Sequence, residues 1–291
     1  MADNNFYRAF EDRYRGSREL IKSRLSIYLP FIQPLQQFYP SIQGIDLGCG
    51  RGEWLELMQE NGIAVQGVDM DQGMLTVAQE RGLNVTLGDA IKKLQTLSSE
   101  SQTLVSGFHL AEHLPFETLQ VLIQESLRVL KPSGLLILET PNPENITVGT
   151  EKFYLDPSHY RPIPSQFLSF MAEYAGFPKV KVLRLQEPSG LAETNSLILL
   201  SVLNGVSPDY AIVAQKGCSA EIQSTTASAF EADYGLSLER LANNYDRQIK
   251  ISIQQAVTKA QQADAKAQEA DAKAQEADAK AQEADIKAQQ A

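Results

Sequence analysis

The sequence predicts an α/β fold, in which a seven-stranded, mostly parallel sheet carries helices on both faces and a long helix follows at the C-terminus. Three observations predict this fold. Apolar runs of strand length alternate with helical patterns from about residue 41 to 204. An acidic residue follows each of the first three runs, and a seven-residue pattern repeats near the C-terminal end. The 291 residues suffice for one substantial domain with additions.

The order of these patterns predicts four segments. Residues 1–40 form a helical lead-in, residues 41–204 the sheet domain, residues 205–240 a linker and residues 241–291 a heptad-repeat helix. The last two strands have no helix between them, so we expect an antiparallel pair. The predicted strands are 42–48, 64–70, 84–89, 103–109, 134–140, 180–186 and 195–203. The predicted helices of the sheet domain are 52–61, 72–81, 116–130 and 164–175.

Residues 44–54, GIDLGCGRGEW, combine a strand ending near Asp46 with a glycine loop that opens a helix. Because Gly48 and Gly50 have no side chains, a ligand can lie against bare backbone while helix amides point at its polar groups. A dinucleotide site would place its third glycine at position 53, where this chain has Glu53. The acid in the strand would repel a pyrophosphate but suits the ammonium group of an amino acid.

Two further acids follow strands at the same predicted edge. Asp69 ends the second strand, where a carboxylate can accept both hydroxyls of a ribose, and Asp89 ends the third. The Asp-x-Gly-x-Gly-x-Gly pattern with these acids resembles the class I S-adenosylmethionine (SAM) methyltransferases, which implies a Rossmann-like fold and SAM as cofactor. The resemblance implies a cofactor site made by Asp46, Gly48, Gly50, Asp69, Met70, Asp89 and Ala90, with Asp89 beside the adenine.

The composition excludes several classes of protein. Lys and Arg number 26 and Asp and Glu 36, so the formal net charge is −10, which argues against a nucleic acid as the main substrate. The 2 cysteines form neither a disulfide framework nor a zinc site. The sequence shows no apolar run as long as a membrane span and no signal-peptide pattern at its start. We therefore expect a cytoplasmic protein that associates with the inner face of the membrane only through partners.

The 3 histidines all fall in predicted loops at the carboxyl ends of strands. A hydroxyl acceptor needs a base, and histidine suits that role because its ordinary pKa is about 6.5. We predict that His159 is the general base, oriented by Asp156, with His113 as the second candidate. His109 follows the fourth strand, where the methionine half of SAM is expected.

The segment from His109 through Glu112 to His113 bears on metal binding. It resembles the Glu-x-x-Glu-His segment of ubiquinone-pathway O-methyltransferases, which is associated with a divalent metal. The first position is His rather than Glu in this chain. A divalent metal is therefore an alternative that the sequence does not favour.

Three longer segments, FYRAFEDRYRGSRELI, ETPNPEN and FYLDPSHYRPIPSQFLSF, carry a closer resemblance. Over residues 6–204 the chain resembles bacterial methyltransferases of surface-polysaccharide (O-antigen) loci. That resemblance implies O-methylation of a sugar hydroxyl on a surface polysaccharide or its lipid-linked precursor, and it implies that Arg15 reaches the SAM carboxylate. The alternatives are a metal-assisted, quinone-type small-molecule O-methyltransferase and a non-catalytic SAM-binding scaffold.

The heptad ADAKAQE begins at Ala263, Ala270 and Ala277, with a varied copy at Ala284. Ile or Ala recurs at alternating steps of four and three from residue 249 to 291, which predicts an a/d seam and a homo-oligomeric coiled coil. A single helix held by Glu-to-Lys pairs is the alternative. A coiled coil in this position resembles that of O-antigen chain terminators, which implies glycosyltransferase partners. The seam runs to the final residue without a C-terminal cap.

Overall fold

The computed structural model describes residues 16–194, 196–217 and 220–289. They form a seven-stranded mixed sheet with helices on both faces and a long C-terminal helix, which confirms the predicted fold class. The strands are β1 (Gln43–Leu47), β2 (Ala64–Asp69), β3 (Val85–Leu87), β4 (Gln102–Phe108), β5 (Leu130–Pro141), β6 (Lys179–Leu185) and β7 (Asp209–Gln215). The helices are α1 (Arg18–Leu25), α2 (Leu29–Ile32), α3 (Glu53–Glu60), α4 (Gln72–Glu80), α5 (Ala90–Thr96), α6 (Phe116–Val129), α7 (Ile146–Thr150), α8 (Ser165–Ala175), α9 (Leu199–Asn204), α10 (Ala220–Glu231) and α11 (Leu238–Gln289).

The strand order, β3-β2-β1-β4-β5-β7-β6, determines where a ligand can bind. It reverses between β1 and β4, and ligands of such sheets bind at the carboxyl ends of the strands near this reversal. β7 runs antiparallel to both neighbours, so its first residue, Asp209, pairs with Pro141 and Leu185 at their carboxyl ends. The edge of the sheet at which β1 to β6 end is here named the carboxyl edge, and β7 begins at the same edge.

Successive side chains of the central strands enter two hydrophobic cores, one on each face of the sheet. In β5, Ile137 packs into the core under α1 to α3, whereas its neighbour Leu138 packs into the core under α5, α6 and α8. This alternation follows from the two-residue period of a strand. Each fully buried large apolar side chain contributes about 1.5–3 kcal/mol, so both faces hold the sheet in place.

The N-terminal helices belong to this domain. Tyr28 and Phe31 are fully buried in the first core. The Arg18 guanidinium donates hydrogen bonds to the carbonyl oxygens of Arg51 and Gly52, at 2.9 and 3.1 Å, and pairs with Glu56. Helix α1 is thereby fixed against the end of the glycine loop.

The prediction for the seventh strand is wrong. The apolar run at 195–203 contributes helix α9, whereas the strand is β7, within the segment predicted to be a linker. Leu199 and Leu200 are exposed, and among the described residues of the run only Leu197 and Val202 are buried, in a cluster that includes Leu241 of α11. A short apolar run fits a strand and one face of a helix equally well, so its periodicity did not decide between them. β6 and β7 are antiparallel as expected, but α9 lies between them in the chain.

Gly67 of β2 packs closely against Cys49 of the glycine loop and Leu55 of α3. A Cβ added there would lie 2.5 Å from the Cys49 Sγ and 2.7 Å from the Leu55 Cδ1. Gly67→Ala is therefore expected to lower the free energy of unfolding by about 1–3 kcal/mol through overpacking, measured by urea denaturation. Gly88→Ala is the control, because its added Cβ would lie 3.8 Å from the nearest atom, in Val68. Equal stability of the two variants would contradict the packing argument.

Helix α11 leaves the domain after its first turns. Leu241 is buried with Leu236 in a small third core, whereas the described side chains from Ile249 to Ala288 are all exposed. Among the described residues, no helix combines the length and the apolar character needed to cross a membrane.

Candidate active site

The glycine loop is held in left-handed backbone conformations. Gly48 has a φ of 72° and Gly50 a φ of 51°, values that side-chain-bearing residues adopt at a cost. The amides of Gly48 and Cys49 both donate to the carbonyl oxygen of Val68, at 2.8 and 3.1 Å. The turn is thus fixed to the end of β2 and presents bare backbone at the carboxyl edge.

Asp69 links the loop to the next helix. Its Oδ2 accepts from the Gly50 amide and its Oδ1 from the Asp71 amide, both at 2.8 Å. A carboxylate has about four acceptor sites, so each oxygen can accept one more hydrogen bond. The carboxylate is partly exposed and Met70 beside it is 75% exposed, so both are accessible to a ligand.

The other two predicted acids differ in their surroundings. Asp46 is buried, and its Oδ1 accepts from the Ser106 hydroxyl at 2.7 Å. Asp89 caps helix α5 by accepting from the Lys92 amide at 2.9 Å through Oδ1. No described residue donates to its Oδ2, and both Asp89 and Ala90 are partly exposed. Asp89 is therefore the more open of the two acids.

His109 sits among three acids at the carboxyl edge. It follows β4 with a φ of 52°, which turns its ring toward β5. Nδ1 lies 3.3 Å from Glu112 Oε1, and Nε2 lies 3.7 Å from Glu139 Oε1. Burial lowers the pKa of His109, but the contact with Glu112 and the charges of Asp209, Glu112 and Glu139 outweigh burial and raise that pKa. The neighbouring acids therefore favour the charged form of the ring.

Glu139, an acidic residue within the apolar run of β5, is not among the site residues predicted from the sequence. It is buried, it accepts from the Tyr28 hydroxyl and, at 3.1 Å, from the Gln186 amide, and burial raises its pKa. Burial likewise raises the pKa of Asp209, which begins β7. Glu112, Glu139 and Asp209 around His109 are here named the acidic group. An acid in an otherwise apolar strand was the signal for Glu139, but the misplaced seventh strand hid Asp209.

A chain of polar contacts orients His113. Its Nδ1 lies 3.0 Å from the Ser158 hydroxyl, which donates to Asp156 Oδ1 at 2.5 Å. The Ser158 amide donates to the same oxygen at 2.8 Å. The Tyr160 amide donates to the Glu112 carbonyl at 2.7 Å and joins this loop to the one after β4. Ser158 is not among the site residues predicted from the sequence, although it lies between Asp156 and His159, which are.

His159 lies beside His113, with ring centroids 4.7 Å apart. Its Nδ1 is 2.6 Å from the Phe153 carbonyl oxygen and therefore donates to it. Its Nε2 is 3.8 Å from Asp156 Oδ2, which is too long for a hydrogen bond. The Phe153 carbonyl thus orients His159, while Asp156 acts through Ser158 on His113.

Two groups of side chains have the composition of metal ligands. Glu112, His113 and His159 form one, and His109, Glu139 and Asp209 form the other, with donor atoms within 4.8 Å of one another in each. Of the predicted site residues, Arg15 lies outside the described part of the chain, and the others line the carboxyl edge.

Comparison with known proteins identifies the family. A methyltransferase domain model matches residues 45–138, which run from β1 through most of β5. A crystal structure of a SAM dependent methyltransferase from Archaeoglobus fulgidus is 34% identical, with a TM-score of 0.63. The match covers 72% of this chain and 100% of that one. The chain belongs to the SAM-dependent methyltransferases.

Curated relatives of this methyltransferase match a smaller part of it. A probable SAM-dependent methyltransferase from Mycolicibacterium smegmatis is 28% identical over 152 residues, 52% of this chain and 58% of the relative. A ubiquinone biosynthesis O-methyltransferase from Histophilus somni is 31% identical over 123 residues, 39% of this chain and 51% of the relative. The chain therefore spans just over half the length of these relatives.

The observed residues fit SAM. The left-handed glycines leave backbone open at the β1 edge, and Asp69 and Asp89 keep acceptor oxygens there for hydroxyl and amino groups. The acidic group places three acids around a single histidine at the same edge, and positively charged parts of a cofactor would be attracted to acids there. SAM is the cofactor of this methyltransferase, and the assignment of individual residues to its parts stays a prediction.

Proposed function

We propose that this methyltransferase methylates a sugar hydroxyl of a bacterial surface polysaccharide or of its lipid-linked precursor, with His113 as the general base. The observation that carries the proposal is the chain from Asp156 through Ser158 to His113. When bound, SAM would supply a methyl group whose bond to the positively charged sulfur breaks as an acceptor oxygen attacks the carbon, and a neutral thioether would leave. The remaining task for the protein is to place the hydroxyl and to remove its proton.

These polar contacts determine which ring nitrogen of His113 is basic. The Ser158 hydroxyl has one proton, which it donates to Asp156. The Nδ1 of His113 must therefore donate to Ser158, which leaves the lone pair on Nε2. The acceptor hydroxyl would give its proton to this Nε2 as its oxygen bonds to the methyl carbon. Phe153 fixes the same tautomer in His159, which keeps His159 as the second candidate.

The surroundings of His113 predict the pH dependence. Burial and the neighbouring His159 lower its pKa below the ordinary 6.5 and outweigh Glu112, Asp156 and the Ser158 contact, which raise it. A base must be neutral, so turnover is present above this pKa and is lost as the pH falls through it. The acidic limb of the kcat profile is expected below pH 6.5. An acidic limb clearly above that value would contradict His113 as the base.

The sugar acceptor draws support from exposed aromatic rings beside the two histidines. Tyr154 and Tyr160 are 64% and 67% exposed and flank the segment that carries His159. Flat, rigid rings with a polar tip offer contact area to the apolar face of a sugar at little cost in conformational entropy. Cytoplasmic placement, chain termination and work beside glycosyltransferases belong to the same proposal.

Metal-assisted methylation of a small catechol or phenol is the second candidate. The cluster of Glu112, His113 and His159 supports it, since two histidines and a carboxylate suit a divalent metal. The named relative from Histophilus somni is a ubiquinone biosynthesis O-methyltransferase. In this candidate Glu112, His113 and His159 would hold a metal that would lower the pKa of the acceptor hydroxyl, and His113 would be a ligand instead of a base.

One assay separates the candidates. The protein is incubated with methyl-labelled SAM and either lipid-linked oligosaccharide or a catechol, with and without a chelator. The proposal expects label in the oligosaccharide whether or not the chelator is present. Label in the catechol alone, abolished by the chelator, would favour the second candidate. SAM binding with label in neither acceptor would contradict both and favour a scaffold.

A further inference from the structure

Helix α11 has one clear point where its contacts with the domain end. Gln248 accepts from the Leu197 amide at 2.8 Å and donates to the Thr194 carbonyl at 2.9 Å. Every described side chain from Ile249 to Ala288 beyond it is exposed. About 40 residues, or roughly 60 Å of helix, therefore project from the domain.

The beginning of the projecting helix is apolar. Ile249 and Ile253, at the first two seam positions, are 42% and 58% exposed. Next to Gln248, the segment of α9 adds exposed Ile198, Leu199 and Leu200, at 57–59%. We name these five side chains the helix foot. Such a group of large exposed apolar residues marks an interaction surface.

The aspartates of the heptads have no ion-pair partner at helical spacing within a single helix. The Glu269–Lys273 and Glu276–Lys280 pairs, each at 2.6 Å, are the contacts that support an isolated helix. Asp271 has only Ala and Gln three and four residues away in either direction, and the same is true of Asp264 and Asp278. Aspartate is a poor helix former within a helix, so its recurrence every seven residues without a basic residue at these spacings favours a charged partner outside the helix.

A second copy of the chain supplies that partner in one orientation. In a parallel pair, a residue at g faces the e residue five positions later in the other helix, so Lys266 faces Asp271 and Lys273 faces Asp278. In an antiparallel pair, the lysines face lysines and the aspartates face aspartates. We propose that the seam binds a second copy of this chain, parallel and in register, with the helix foot as its anchor.

The helix foot also determines the register. The identical heptads would tolerate a slip of seven residues, because the same Ala, Asp and Lys contacts form again. Ile249 and Ile253 are the only large seam residues, and they meet their copies only in register. The alanines bury little area, so these two residues provide most of the apolar contact along the seam. Both catalytic domains then lie at the same end of the paired helices.

Sedimentation of the full chain over a range of concentrations tests the association. Ile253→Asp is expected to raise the dissociation constant of the pair about tenfold or more, since it removes from each chain an isoleucine that pairing would bury. Ile251→Asp is the matched control: Ile251 is 50% exposed in the same turn but lies at f, off the seam. Its effect is expected to be small. A wild-type monomer at all concentrations, or an equal effect of both substitutions, would overturn the proposal.

Cross-linking tests the orientation and the register. Ala284→Cys places a thiol at d near the end of the described helix, where parallel copies in register bring equivalent positions together. Mild oxidation is expected to give a covalent dimer of this variant. Ala279→Cys, at f, and the wild-type chain with its 2 cysteines are the controls. Failure of Ala284→Cys to exceed both controls would overturn the parallel, in-register arrangement.

Discussion

Replacing His113 with alanine is expected to lower kcat for methyl transfer by about a hundredfold or more while leaving SAM affinity unchanged. The Nε2 that removes the acceptor proton disappears, whereas the glycine loop and Asp69 are separate from this residue. Turnover is measured with labelled SAM, and SAM binding is measured by calorimetry on the same preparation. A normal kcat would remove His113 from the mechanism.

Two further variants distinguish the roles within the histidine pair. Ser158→Ala keeps the base but loses its orientation, so we expect a loss in kcat of about tenfold, less than that of His113→Ala. The His159 ring lowers the pKa of His113. His159→Ala removes this ring and should therefore raise the pKa of His113, so the acidic limb of the kcat profile should move to higher pH. A larger loss of kcat from His159→Ala than from His113→Ala would exchange their roles.

The site residues predicted from the sequence rest on patterns that are local along the chain, and their roles stay predictions. Asp69 was identified because a strand, an acid and a helix start lie within a few residues, and the structure shows the same order. The relay through Ser158 could not be predicted in this way, because its 3.0 Å contact with His113 joins residues 45 positions apart. Asp156 was expected to orient His159 because the two residues are close in sequence. In the structure Asp156 accepts a hydrogen bond from Ser158, and His159 donates one to the Phe153 carbonyl.

The fold was also predicted only where the sequence pattern is local. Strands with strong apolar patterns and adjacent helices were located to within a few residues, because burial on both faces leaves a continuous apolar run. The seventh strand was misplaced because α9 is equally apolar for a different reason: part of it packs on α11 and part belongs to the exposed helix foot. Apolar residues kept for an interaction surface resemble a core strand when only the sequence is seen.

Asp69→Ala is expected to weaken SAM binding by about 1.5–3 kcal/mol, which is roughly a ten- to hundredfold rise in the Kd. Two losses act together. The ribose hydroxyls lose a charged acceptor, and the amides of Gly50 and Asp71 lose the carboxylate that fixes the glycine loop to α4. Calorimetric titration with SAM measures the change. Because binding is read directly, the result does not depend on knowing the acceptor.

Asp71→Ala is the control that separates these losses from a general loosening of the edge. Asp71 caps α4 by accepting from the amides of Gly73 and Met74, at 2.7 and 3.2 Å. Its removal is expected to cost about 1 kcal/mol of stability with little change in SAM affinity, because its carboxylate serves the helix. Equal losses of SAM affinity in both variants would mean that Asp69 affects binding only by holding the backbone of the edge, without a hydrogen bond to the ribose. Unchanged affinity in Asp69→Ala would place the ribose at another part of the edge.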